Sequence, residues 1–164
     1  MDLYIIRHAW AADRDDRQWP DDDLRPLTDE GKRRFAEMVE ELAGRGLAPE
    51  VVATSPLVRC RQTAQILVAG IPDKPAVVEL DELRPGSDLE GLLRWTALQA
   101  RKHERVAWVG HAPDVGRLSA ALIGPPEGQI HFAKGAIAAI RFDRPPTIGG
   151  GELQWLATAK VLGC

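Results

Sequence analysis

Cysteine is scarce: Cys60 and Cys164 are the only two in 164 residues. They provide neither a disulfide framework nor a metal-ligand spacing, so a reducing compartment is expected and cytoplasmic is the default location. Long apolar runs are missing as well. No segment approaches the ~20 residues that span a bilayer, and Asp2 stands where a signal peptide wants positive charge. Basic residues are not in excess. A net charge of −3 argues against a general nucleic-acid or membrane-surface binder while leaving room for a local basic pocket. Aromatics make up 5% of the chain and its five tryptophans fall in no stacking pattern. Trp10 and Trp19 are candidates to wall a pocket mouth, with core packing the better expectation. There is also no internal repeat, low-complexity tract or linker. What remains is an ordinary soluble composition, 45% hydrophobic and 27% charged, in one domain over 1–164 around one core.

The apolar segments alternate in type along the chain. Leu3 to Ile6 has the length and β-branched content of a buried strand, and it ends in Arg7-His8. Residues 13–25 read as a long polar loop. Thr28 looks like a helix N-cap, with Phe35, Met38, Val39 and Leu42 on one face and Gly44 or Gly46 at the end. Val51 to Thr54 is a second strand. Ser55-Pro56 then signals a helix start, with Ser55 as the cap and Leu57, Ala64 and Leu67 inward. A strand over Ala76 to Leu80 follows, and Ser87 to Glu90 fits a capping box ahead of a helix carrying Leu89, Leu92, Leu93 and Leu98. Arg105 to Val109 is a further strand, leading into Gly110-His111-Ala112-Pro113 and a helix opened by Pro113-Asp114. Ala136 to Phe142 and Glu152 to Ala157 read as two closing strands. Strands alternating with helices predict a three-layer α/β/α sandwich, its central sheet mostly parallel with an antiparallel edge.

Three strand ends carry groups of functional type: Arg7-His8, then Ser55 with Arg59 one turn on, then His111. If those strands are parallel neighbours, all three ends open on one rim of the sheet, where ligands of such folds bind. Two guanidiniums, two imidazoles and a helix N-terminus suit a phosphoryl group. Taken singly, His8 and His111 would be ordinary core histidines. Their company with Arg7 and Arg59 reverses that expectation. His103 and His131 lack such company and read as structural or exposed.

RHAWA, LRPLTDEG, SPLVRCRQTA and GHAPDVGRL, in that order, resemble the histidine phosphatase (phosphoglycerate-mutase-like) superfamily. The likeness runs from residue 3 to about residue 123 and is strongest to the short SixA-type phosphohistidine phosphatase branch, whose late strand FAKGAIAAIRFD also resembles. The resemblance implies that His8 is the nucleophile and is transiently phosphorylated, with Arg7, Arg59 and His111 completing the phosphate pocket. It implies no cofactor and no metal. His111 is expected as a cationic ligand, because a neighbouring dianion favours its protonated form.

Two departures bear on substrate. Ala9 replaces the superfamily's usual glycine, a change shared with the short branch. The chain also has no room for the long insertion by which larger members supply a proton donor. Glu82 matches the position where the superfamily often keeps that acid, and a plain surface carboxylate is an equally good reading. Arg25 is a candidate to reach the phosphate from the loop, with a salt bridge as the alternative. Ser55 is a second candidate for substrate binding. Cys60 is expected as buried packing, and Lys32-Arg33-Arg34 as a solvated helix face.

An alkoxide leaving group needs protonation far more than the imidazole of a phosphohistidine does. The leading expectation is therefore a metal-independent phosphatase acting on protein phosphohistidine, such as a histidine-containing phosphotransfer domain, in signal transduction. A phosphomonoesterase for sugar phosphates or nucleotides, and a non-catalytic phosphoprotein-binding module, are the alternatives. No nucleic acid or membrane partner is expected, and the default assembly is a monomer.

Overall fold

The computed structural model describes residues 1–164 except 125, 126 and 144. Its centre is a six-stranded sheet in the order β3-β2-β4-β1-β5-β6. The strands are β1 (Asp2–Arg7), β2 (Val51–Thr54), β3 (Ala76–Glu79), β4 (Arg105–Gly110), β5 (Ile137–Arg141) and β6 (Glu152–Ala157). The first four run parallel, and β5 and β6 close the sheet as an antiparallel pair. Crossovers are made by α1 (Asp29–Ala43), α2 (Val58–Gly70), α3 (Leu89–Gln99) and α4 (Asp114–Ile123), and a short α5 (Ala159–Leu162) ends the chain.

The period-two alternation of β1 splits the core into two layers. Tyr4 and Ile6 face one side, packing with Phe35, Met38 and Val39 of α1 and Ala64 and Leu67 of α2. Leu3 and Ile5 face the other, with Leu92 of α3 and Val115, Leu118 and Leu122 of α4. The result is the expected three-layer sandwich. Among the described residues no helix is long and apolar enough to cross a membrane.

Thr28 caps α1 as expected, its Oγ1 accepting from Gly31 N at 3.0 Å. Gly31 is obligatory there for a reason of space: a Cβ would stand 2.3 Å from the Trp10 carbonyl oxygen. Two other start signals are corrected. α2 begins at Val58 with Leu57 at the cap position and no side-chain cap; the Ser55 hydroxyl lies 2.9 Å from His111 Nε2 and accepts from Leu57 N only at 3.5 Å. α3 is capped by Asp88, which accepts from Gly91 N at 3.0 Å, while the Ser87 hydroxyl turns back to the Arg84 carbonyl. The apolar face of α3 is also narrower than expected, since Leu98 is 59% exposed. β3 stops at Glu79, and as an edge strand all four of its residues are exposed.

Candidate active site

The register explains why the three strand ends meet. Arg7 pairs across β4 with Gly110, so the next residues, His8 and His111, leave the sheet side by side. His8 N donates to Gly110 O and Ser55 N to Val109 O, both at 3.0 Å, which extends the parallel pairing past each strand. The imidazoles of His8 and His111 lie edge to face with ring centroids 5.4 Å apart. Arg59 comes from the first turn of α2 and is nearly fully buried. These four residues line one cleft of about 380 Å³, together with Arg25, Asp114, Arg117 and Lys134. A larger hollow of about 490 Å³ adjoins it and shares Arg7, Ala112 and Pro113; it is lined by His131 but not by His8, His111 or Arg59. The chemistry belongs to the smaller one.

The orientation of His8 follows from its partner. Nδ1 lies 2.8 Å from the Ala9 carbonyl oxygen, which can only accept, so Nδ1 carries the proton and Nε2 keeps a free lone pair. Thr63 braces the turn: its hydroxyl receives Ala9 N at 3.0 Å and donates to Arg59 O at 2.7 Å, joining the His8 loop to the helix of Arg59. Burial, reinforced by His111 and the two arginines, pushes the His8 pKa down to about 3. Burial and then Arg59 bring His111 down to about 4. Both rings are therefore neutral at pH 7 in the protein alone, so the expected cationic His111 is not its resting form. A dianion beside it would restore the proton.

The arginines are held by part of their donor sets and leave the rest. Arg7 Nη1 donates to Phe132 O at 2.7 Å. Arg59 gives Nη1 to the Asp22 carbonyl at 2.7 Å and Nη2 to the Asp22 carboxylate at 3.0 Å. In both residues Nε is buried with no protein partner. A buried N–H of a charged group without an acceptor is costly, and here two of them flank a cleft containing an imidazole lone pair. Both arginines also line the cleft, whose charge suits an anion.

The remaining candidates divide. Arg25 lines the cleft and makes the salt bridge too, with Nε 2.8 Å from Asp22 Oδ1 and Nη1 on the Ala12 carbonyl. Its hydrogen bond, with Arg59 beside it, holds the Asp22 carboxylate below the usual range. Ser55 is fully buried behind His111, its Oγ 2.9 Å from Nε2, so it orients that ring. Glu82 is not among the cleft-lining residues; its Cγ would lie 2.7 Å from a Cβ placed on Gly91 of α3. Cys60 is buried as expected, with its thiol 3.4 Å from His111 Nε2 and pushed up to about 12 by burial. Neither Trp10 nor Trp19 lines the cleft; Trp10 stacks under Arg34 at 4.3 Å.

Sequence reasoning missed Asp22, Thr63, Asp114, Arg117 and Lys134. Asp114 and Arg117 follow the GHAP segment on the first turn of α4, a position next to His111 that was legible. Asp22 sits among Asp21, Asp22 and Asp23, and nothing local separates it from its neighbours.

The family model of the Histidine phosphatase superfamily (branch 1) matches residues 3–121. Phosphohistidine phosphatase SixA of Escherichia coli is 35% identical over 159 residues, which are 94% of this chain and 92% of the relative. An uncharacterized protein of Picosynechococcus is 36% identical over 144 residues, covering 86% of this chain and 85% of its own. Among solved structures, the protein histidine phosphatase SixA complexed with tungstate superposes with a TM-score of 0.86 at 29% identity, covering 99% of both chains. The match over most of its length makes the chain a phosphatase, and it belongs to the histidine phosphatase superfamily (branch 1).

Proposed function

We propose that this phosphatase hydrolyses phosphohistidine on a protein, through a phosphohistidine intermediate on His8 and without a metal ion. The observation that carries the reading is the cleft's mixture of groups. It is lined by an imidazole with a fixed tautomer and by two arginines whose buried Nε–H groups have no protein acceptor. Among the described residues its one lining carboxylate is Asp114, which is ion-paired with Arg117. Such a site neutralises a phosphoryl group well and has no evident acid for a poor leaving group. The imidazole of a phosphohistidine departs without strong help. Likeness to the SixA phosphatases points the same way.

In the first step His8 Nε2 attacks phosphorus as the bond from phosphorus to the substrate nitrogen breaks. The substrate ring departs as neutral imidazole, its far nitrogen carrying a proton taken from solvent. Arg7 and Arg59 donate to the equatorial oxygens, where charge must be held in place. His111 takes up a proton as the dianion arrives, and Ser55 keeps that ring aimed. Water then attacks phosphorus and gives up a proton to solvent, the Nε2–P bond breaks, and hydrogen phosphate leaves with His8 restored to its neutral Nδ1–H form. Arg25 steadies the rim, and Glu82 has no part. Among the described residues no group of three or more His, Cys, Asp and Glu could hold a metal, which favours a metal-free route. A soluble cytoplasmic monomer is the setting this reading assigns.

The test compares phosphate release from a phosphorylated histidine-containing protein domain with release from a panel of alkyl phosphates, with and without chelator. Preference for the phosphoprotein, chelator resistance and an acid-labile label absent from His8→Ala are expected. Clear preference for the alkyl esters would replace the reading with a small-molecule phosphomonoesterase. No label and no release would leave a binding module.

A further inference from the structure

We infer that Lys134 contacts a second anionic group, carried by the substrate beside its phosphoryl group, and that the cleft selects for it. The inference rests on the phosphatase reading of the same cleft and adds a substrate class to it.

Position is the first argument. Lys134 sits in the turn Ala133-Lys134-Gly135-Ala136, closed by Ala136 N to Ala133 O at 3.0 Å. Gly135 takes φ +72, the conformation that the third position of such a turn demands, and a Cβ there would also come within 3.0 Å of the Trp10 ring. The turn is tied to the nucleophile's own backbone on either side: Gly135 N donates to His8 O at 3.1 Å, and Arg7 N to Ala136 O at 3.0 Å. Lys134 is therefore carried by a fixed turn on the cleft wall next to His8.

Charge is the second argument. Arg7, Arg25, Arg59, Arg117 and Lys134 bring five cations to the cleft lining, in a protein whose net charge is −3. Two carboxylates answer them: Asp114 on Arg117, and Asp22 shared between Arg25 and Arg59. Three positive charges remain, His111 adds a fourth when it takes up its proton, and a phosphoryl dianion accounts for two. Among the described residues Lys134 has no carboxylate within ion-pair distance, so it carries part of the surplus. The choice of lysine fits this division of labour. Arginine's planar fork matches phosphoryl oxygens, whereas an ammonium on a flexible stem follows an anion whose place varies with the substrate.

The second anion is a carboxylate or a comparable group, and it could belong to a protein side chain or to a small molecule. Two matched probe pairs distinguish them: phosphohistidine peptides flanked by glutamates or by alanines, and 3-carboxyphenyl phosphate against phenyl phosphate. Wild type should use the acidic member of a pair roughly fivefold better in kcat/KM, chiefly through KM, as suits an exposed ion pair. That ratio should shrink with added salt. It should fall to about one in Lys134→Ala, persist in Lys134→Arg and invert in Lys134→Glu. Equal use of both members by wild type, or a preference that survives Lys134→Glu, overturns the inference while leaving the phosphatase intact. Preference in the aryl pair with no peptide turnover keeps the inference and removes the phosphohistidine reading. No turnover of any probe removes both.

Discussion

The two ends of the parallel strands carry arginines in opposite states. At the amino-terminal end Arg105 gives Nε and Nη2 to Glu50, and Arg141 gives the same pair of nitrogens to Asp2. These guanidiniums are on the surface and their charge is spent on a carboxylate. At the carboxyl-terminal end Arg59 is buried and Arg7 half-buried, and each keeps a buried Nε–H with no acceptor. The sheet is the same and the residue type is the same. The difference is whether the donors have been satisfied within the chain. An unsatisfied charged donor is tolerated only where stability is not the sole demand on it, and so it marks the site better than residue type does.

The largest effect that bears on this contrast comes from removing a reserved donor. Arg59→Ala should lower kcat/KM by about 10²- to 10³-fold, the usual loss when a donor to developing charge is deleted. Steady-state kinetics on any hydrolysed phosphate would measure it. A loss under tenfold would mean that the unpartnered Nε–H is a packing accident.

Next in size is the cost of holding two imidazoles neutral. His8 and His111 titrate near 6.5 when unfolded and at about 3 and about 4 in the fold. Between those limits the unfolded chain binds more protons, so stability rises with pH through the window. Stability is full above about pH 6.5 and falls as pH drops toward 4, by on the order of 3 kcal/mol for each ring. Thermal melts from pH 7.5 to 4 should show a steep decline, flattened in His111→Asn. A decline that is equally steep in that variant would locate the acid sensitivity elsewhere. Over the same range His8 stays neutral, so its Nε2 lone pair is kept down to about pH 4.

Asp22 belongs to both kinds of contact, since its carboxylate satisfies Arg25 and Arg59 while leaving Arg59 Nε free. Asp22→Ala should raise KM about tenfold by loosening Arg59, and Asp22→Asn should keep most of the affinity through the amide oxygen. A lower KM in Asp22→Ala would show instead that the carboxylate competes with the phosphoryl group for that arginine.

Much of this was legible in the sequence because the signals were local. The apolar run of β1, the Thr28 cap and the order of strands and helices each rest on a few adjacent residues. The four-residue pocket could be assembled because its members follow strand ends, and a parallel register brings strand ends together. Ser55 was misread for the opposite reason. A serine before proline carries the local signature of a cap, and only the β2–β4 pairing reveals that His111 claims its hydroxyl. Glu82 shows the same limit, since its position in the sequence fits an acid and a surface carboxylate equally, and only the fold shows its place beside Gly91 and outside the cleft lining. Asp22 and Lys134 depend on a loop and a turn returning to the site, which no periodicity announces.

The smallest predicted effect tests the other half of the contrast. Arg105 is paired with Glu50 at 2.8 Å, but its side chain is 41% exposed, so solvent already screens the pair. Glu50 also keeps a second donor, Glu104 N at 2.8 Å, and is not left bare when the guanidinium goes. Arg105→Ala should therefore cost about 0.2–1 kcal/mol of stability, read as a small shift of the denaturant midpoint at unchanged slope. Its kcat/KM should equal that of wild type. If Arg105→Ala instead lost turnover on the scale of Arg59→Ala, the two ends of the sheet would not differ in kind, and an unpartnered donor would have no special claim to mark the site.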